Sequence, residues 1–302
     1  MKRPPFLQTG DRVGVLAMAS QLSYSTLEEG LRILREDWKL EVIEGATLHT
    51  SYHQFAGTDE ERQRDLQQML DDASIKAIFS ARGGYGSSRI IDGLNFRRFR
   101  KYPKWIVGFS DITAVHCHLE RMGFESLHAT MPKLFGQEGA ENALQTLKEA
   151  LWGEELVYEI PAHSFNRPGI TQGTVVGGNL CLLAHLLGSR SEIDTRHKIL
   201  FMEDVEEYYY NLDRMMVQLK RAGKLAQLAG LVVGQFTDLK DNDTSSFGKN
   251  HYEIIAEQVA AYDYPVCFDF PVGHVADNRA MIVGREARFS VTSENVQLHF
   301  SN

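Results

Sequence analysis

Apolar and polar positions alternate in blocks through the first half of the chain. "RVGVLAMAS" (12–20) is a short apolar run ending in small residues. "STLEEGLRILRED" (25–37) follows with helical spacing, opened by Ser25 or Thr26 as a cap. "LEVIEGATL" (40–48) reads as a second strand. "TDEERQRDLQQMLDD" (58–72) reads as a helix with Thr58 at its start and acids in its first turn, where the helix dipole favours them. "IKAIFSA" and "KWIVGFS" predict two more strands, each followed by a helical stretch, "RGGYGSSRIIDGL" and "DITAVHCHLERMG". This rhythm predicts an α/β fold with a doubly wound, mostly parallel N-terminal sheet.

The pattern breaks at "LWGEELVYEIPAHSFNRPGITQG" (151–173), which holds two prolines and no helical period. The expected organisation is an N-terminal domain over 1–152, a crossover over 153–172, and a C-terminal α/β domain with a mixed sheet over 173–302. In that last part "TVVGG", "HKILFMEDV", "LAGLVVGQF", "PVCFDFPVGH", "AMIVG", "ARFSVT" and "VQLHF" read as strands. Helices are expected at "NLCLLAHLLG", "YNLDRMMVQLKRAG" and "HYEIIAEQVAAY". Leu212, Met215, Met216 and Leu219 share one face of the second of these, so its Met pair reads as core.

The chain has 302 residues, and its length favours two domains over one. A formal net charge of −8 argues against a general nucleic-acid binder, and "FRRFRKYPK" (96–104) reads as a solvated loop. No stretch is long and apolar enough to span a bilayer. Pro4, Pro5, Gly10 and Asp11 interrupt any signal-peptide core, so a cytoplasmic location is expected. Cys117, Cys181 and Cys267 sit in apolar contexts and read as buried free thiols. With no CxxC or HExxH pattern, no metal is expected. No cofactor is expected either.

In a doubly wound sheet the ligand crevice lies beyond the carboxyl ends of the strands. Three polar residues end apolar runs. Ser110 stands in "GFSDI" between a strand and a helix, a partial match to the nucleophile elbow G-x-S-x-G, with Ile112 in place of the second glycine. A serine there is also a common helix cap. Glu203 and Asp204 follow "ILFM", and alternation sends their side chains to opposite sides. His274 stands in a Gly-His turn, the usual setting of a general base as well as of many surface histidines. Together they supply a nucleophile, an acid and a base in chain order Ser, Glu, His. In "SARGGYGSSRI", Gly83, Gly84 and Gly86 allow close backbone approach, either as an anion cradle or as an oxyanion donor through Gly84 N–H. His116 and His118, two apart on a helix, face different ways and make no metal pair.

As a set, "ARGGYGSSRII", "GFSDIT", "GGNLCLLAHLLG", "ILFMEDVEEYYYNLDRMMVQLKRAG" and "GHVADNRAMIVG" resemble the LD-carboxypeptidase family of serine peptidases. The resemblance runs over nearly the whole chain. It implies a Ser-Glu-His triad of Ser110, Glu203 and His274, with the amides of Asp111 and Gly84 as the oxyanion hole. It implies a murein tetrapeptide substrate cut at an L,D bond to release D-alanine in peptidoglycan recycling. A branch of the family instead hydrolyses a peptidyl-nucleotide antibiotic in self-immunity. Where the family has His-Gly-Pro after the nucleophile's helix, this chain has His128, Ala129 and Thr130. Candidates for holding the free terminal carboxylate are Arg82, Asn179 and Arg279. The expected partners are the murein peptide and a second copy in a homodimer, without nucleic acid or membrane. The competing reading is a non-catalytic protein whose crevice only holds a small anion, which would leave Ser110, Glu203 and His274 apart.

Overall fold

The structure, a computed structural model, describes residues 1–301. Five strands of the first half, β1 (Arg12–Leu16), β2 (Glu41–Glu44), β3 (Ile75–Ser80), β4 (Trp105–Gly108) and β5 (Ser126–His128), run parallel in one sheet. Eight more follow: β6 (Val157–Pro161), β7 (Gly169–Asn179), β8 (Ile199–Val205), β9 (Gly230–Thr237), β10 (Val266–Cys267), β11 (Met281–Val283), β12 (Glu286–Val291) and β13 (Asn295–Phe300). The strand orders are β11-β5-β4-β3-β1-β2 and β10-β9-β8-β7-β12-β13-β6. The second sheet is parallel from β10 to β7 and antiparallel from β7 to β6.

Local sequence explains most of these elements. Thr58 and Glu61 form a reciprocal capping box that starts the helix Asp59–Asp71, and Asn250 with Glu253 does the same for His251–Val259. Leu212, Met215, Met216 and Leu219 form the buried face of the helix Tyr209–Arg221. Cys117 and Cys267 are buried free thiols, and Cys181 is half-buried.

Two strands depart from the pattern expected of the sequence. β6 lies inside the stretch read as a crossover and forms the edge of the second sheet beside β13. Its alternation of exposed and buried residues is that of a strand packed on one face only. β11, read as part of the C-terminal domain, instead pairs antiparallel with β5 in the first sheet. The segment 268–280 therefore runs from one sheet to the other, and His274 lies on that crossing. One apolar cluster joins Val13, Phe79 and Trp105 of the first sheet to Val175, Phe201 and Phe289 of the second. Close packing across that core holds loops from the two sheets in fixed relation.

Gly177 shows how tightly β7 and β8 meet. Its φ is +143°, and a Cβ there would lie 1.9 Å from the Phe201 carbonyl oxygen. Gly177→Ala should cost about 3 kcal/mol or more, from strain and overpacking together. A fall of several degrees in the thermal midpoint checks this, and an unchanged midpoint contradicts it.

Candidate active site

Ser110 stands just past β4 with φ +62°, a left-handed conformation rare for a residue with a Cβ. Such strain persists where its surroundings impose it. His116, fully buried, holds the turn from below: its Nε2 lies 2.8 Å from the Gly108 carbonyl and its Nδ1 2.9 Å from Ser126 Oγ. Burial pushes the His116 imidazole down to about 4, so it is neutral. Gly83 leaves room for the serine, since a Cβ there would approach Ser110 Cβ to 3.0 Å. The Ser110 hydroxyl caps no helix. Its partner is His274, with Nε2 3.0 Å from Ser110 Oγ.

The turn and the glycine-rich loop are tied together by Asp111. Its buried carboxylate accepts from the amides of Gly86, at 3.3 Å, and Ser87, at 2.8 Å. The place at that helix start where an external anion would sit is therefore taken by the chain's own carboxylate. This removes the anion-cradle reading of the loop. Gly84, at φ +106°, packs against Ser20, whose Oγ would lie 2.1 Å from an added Cβ. The backbone amides of Gly84 and Asp111 have no hydrogen-bond partner among the described residues, so both are free to donate.

Glu203 arrives from β8 at a point where its register with β9 shifts, a bulge that re-aims one side chain. Gly234 and Gly273 flank its Cβ closely enough that added methyl groups would meet it at 3.3 and 3.0 Å. Its Oε2 lies 2.7 Å from His274 Nδ1. Asp204 points the other way, accepting from Asn179 Nδ2, Cys181 N–H and Val205 N–H. Burial, then the neighbouring charge of Glu203, pushes the Asp204 carboxyl up to about 7. Two further contacts fix His274. The Phe109 ring meets it edge-on at 4.9 Å between centroids, and Asn278 Oδ1 accepts from the preceding Gly273 N–H at 2.9 Å.

Burial alone would lower the His274 pKa. The Glu203 hydrogen bond and charge, with smaller contributions from Asp204 and Glu206, outweigh it and hold the imidazole above its ordinary 6.5. An ionised carboxylate only accepts, so Nδ1 carries the proton and Nε2 is left to accept from Ser110. The three residues make one relay, Glu203 to His274 to Ser110, and the reading that would leave them apart does not hold.

Family models of the LD-carboxypeptidase N-terminal domain and C-terminal domain match residues 13–129 and 172–289. The chain belongs to the LD-carboxypeptidase family. It is 34% identical over 300 residues to the probable murein peptide carboxypeptidase of Bacillus subtilis, covering 97% of this chain and 92% of that one. It is 31% identical over 288 residues to the murein tetrapeptide carboxypeptidase of Pseudomonas aeruginosa, covering 91% and 92%. Among solved structures, the muramoyltetrapeptide carboxypeptidase from Oxalobacter formigenes superposes with a TM-score of 0.86 at 26% identity, over 96% of this chain and 99% of that one.

In this LD-carboxypeptidase the relay opens on a cleft of about 390 Å³, lined on one side by Arg82, Gly84 and Lys133 and on the other by Val205 and Glu206. A larger depression of about 620 Å³ lies at the amino ends of β7 to β9, near His197 and Tyr262, away from the edge where such sheets bind ligands. Of the three residues expected to hold a carboxylate, only Arg82 lines the cleft. Asn179 is buried, with Oδ1 capping the next helix through Leu182 N–H and Nδ2 donating to Asp204, and it does not line the cleft. Arg279 is paired with Asp277 at 2.9 Å and is not part of the cleft wall. Lys133, which carries no sequence signal, lines the cleft beside Arg82. Among the described residues it forms no ion pair, and burial and the Arg82 charge lower its pKa. Asn278 and Glu206 lie in quoted motifs, but the sequence gives neither an individual role, because what they face is set by segments far away in the chain.

Proposed function

We propose that this protein is a serine carboxypeptidase that removes the terminal D-alanine of a murein tetrapeptide at its L,D bond, in the cytoplasm. The observation that carries this reading is the relay of 2.7 and 3.0 Å opening on a cleft lined by Arg82 and Lys133, neither of which forms an ion pair among the described residues. The names of its relatives from Bacillus subtilis and Pseudomonas aeruginosa support the murein substrate.

In this mechanism His274 Nε2 takes the Ser110 proton as Oγ attacks the scissile carbonyl. The amides of Asp111 and Gly84 receive the oxyanion, and Glu203 stabilises the imidazolium that forms. His274 then protonates the departing D-alanine amine. Water, deprotonated by the same imidazole, attacks the ester, releases the shortened peptide and restores the serine. An exopeptidase must recognise a free terminus, and Arg82 and Lys133 are the groups for a carboxylate.

The test is the dependence of turnover on that terminus. A C-terminal amide should be cleaved at least about tenfold more slowly than the free acid, and Lys133→Ala should shrink this difference by raising KM for the acid. Equal rates for amide and acid would contradict the exopeptidase reading.

A further inference from the structure

The two walls of the cleft carry opposite charge. Arg82 and Lys133 come from loops of the first sheet, whereas Glu206 follows β8 of the second. Among the described residues neither cation forms an ion pair with Glu206, and the Glu206 carboxylate, exposed on the cleft wall, has no hydrogen-bonding partner. Glu206 is exposed to the cleft and close enough to His274 for its charge to raise the imidazole pKa.

Its backbone makes the side chain harder to dismiss as a solvated surface acid. Glu206 has φ +61°, held by its N–H donating to the Thr237 carbonyl at 3.0 Å. Glycine or asparagine would occupy such a position with less strain. An outlier of this kind beside a reacting group is a reason to look for a function of the side chain.

We infer that Glu206 receives an ammonium group on the side chain of the substrate residue whose carbonyl Ser110 attacks. This rests on the proposed carboxypeptidase function and adds a specificity determinant to it. A zwitterionic cleft suits a ligand with a carboxylate at one side and a cation at the other. The cation must lie within about one residue of the scissile bond, because Glu206 shares the cleft with Ser110 and His274. The α-amine of a tetrapeptide lies further off, at up to about 3.5 Å of extended chain per intervening residue. The side-chain amine of a diamino acid reaches the site and the α-amine does not.

The experiment uses D-alanine-terminated tetrapeptides whose third residue is lysine, Nε-acetyl-lysine or norleucine, and the lysine peptide acetylated at its α-amine instead. For the wild-type protein, kcat/KM should be at least about tenfold higher for both peptides with a free side-chain amine than for the other two. Glu206→Gln should bring all four within about threefold of one another, and Glu206→Asp should restore part of the preference. The ratio is the decisive quantity, because any effect of Glu206 on His274 alters all four rates alike. A preference that survives in Glu206→Gln, that is missing in the wild type, or that follows the α-amine overturns the inference. Failure of the wild type to turn over any of the peptides overturns the proposed function instead, and the inference falls with it.

Discussion

Ser110→Ala is expected to lower kcat/KM for D-alanine release by about a thousandfold or more, with the fold intact. The hydroxyl is the group proposed to form the acyl bond, and its partner is His274 Nε2 at 3.0 Å. Alanine keeps the Cβ and the strained turn at φ +62°, so stability should change by no more than about 0.5 kcal/mol. Residual turnover would come from the Gly84 and Asp111 amides acting on a bound peptide. Rate measurements beside a thermal melt separate the two effects. A variant that keeps more than about a tenth of the activity would mean that Ser110 is not the nucleophile.

Glu203→Gln should be nearly as damaging, by about 10³-fold to 10⁴-fold in kcat. Its carboxamide can present an N–H to His274 Nδ1, which favours the tautomer with the proton on Nε2, where it cannot accept from Ser110. The same change should not unfold the protein. Glu203 is fully buried, its Oε1 lacks a partner among the described residues, and it lies next to the buried Asp204. Removing one charge of that pair relieves repulsion at Asp204. The pH profile gives a second readout. His274 acts as a base only when neutral, so activity should fall with decreasing pH through a midpoint above the ordinary 6.5. In Glu203→Gln the residual activity should show that midpoint shifted to lower pH, because the chief raising contributions are gone. An unmoved acid limb would detach Glu203 from His274.

The α/β class with its mostly parallel first sheet is legible in the sequence, and so are the positions of the candidate site. Ser110, Glu203 and His274 are legible as candidates because each ends an apolar stretch, whereas their meeting depends on two sheets and the segment that crosses between them, which no local pattern shows. The elbow at Ser110 could be read from "GFSDI", although its left-handed backbone could not. The sheet that β11 joins is not legible locally, because three apolar residues fit any sheet and only pairing with β5 decides which. Asn179 and Arg279 looked available because their partners could not be ranked from spacing alone. Asn179 is held by Asp204 and by its own helix, and Arg279 by Asp277 two positions away. Lys133 is a candidate for the opposite reason: among the described residues no carboxylate pairs with it, which is a property of the folded surface.

Whether Ser110, His274 and Glu203 form an exopeptidase site is decided by product analysis. The wild-type protein is incubated with a murein tetrapeptide ending in D-alanine, and both products are identified by chromatography and mass, with a chiral assay for the amino acid. One equivalent of free D-alanine and one of the tripeptide is the expected result. An intact tetrapeptide, or cleavage at an internal bond, would contradict it.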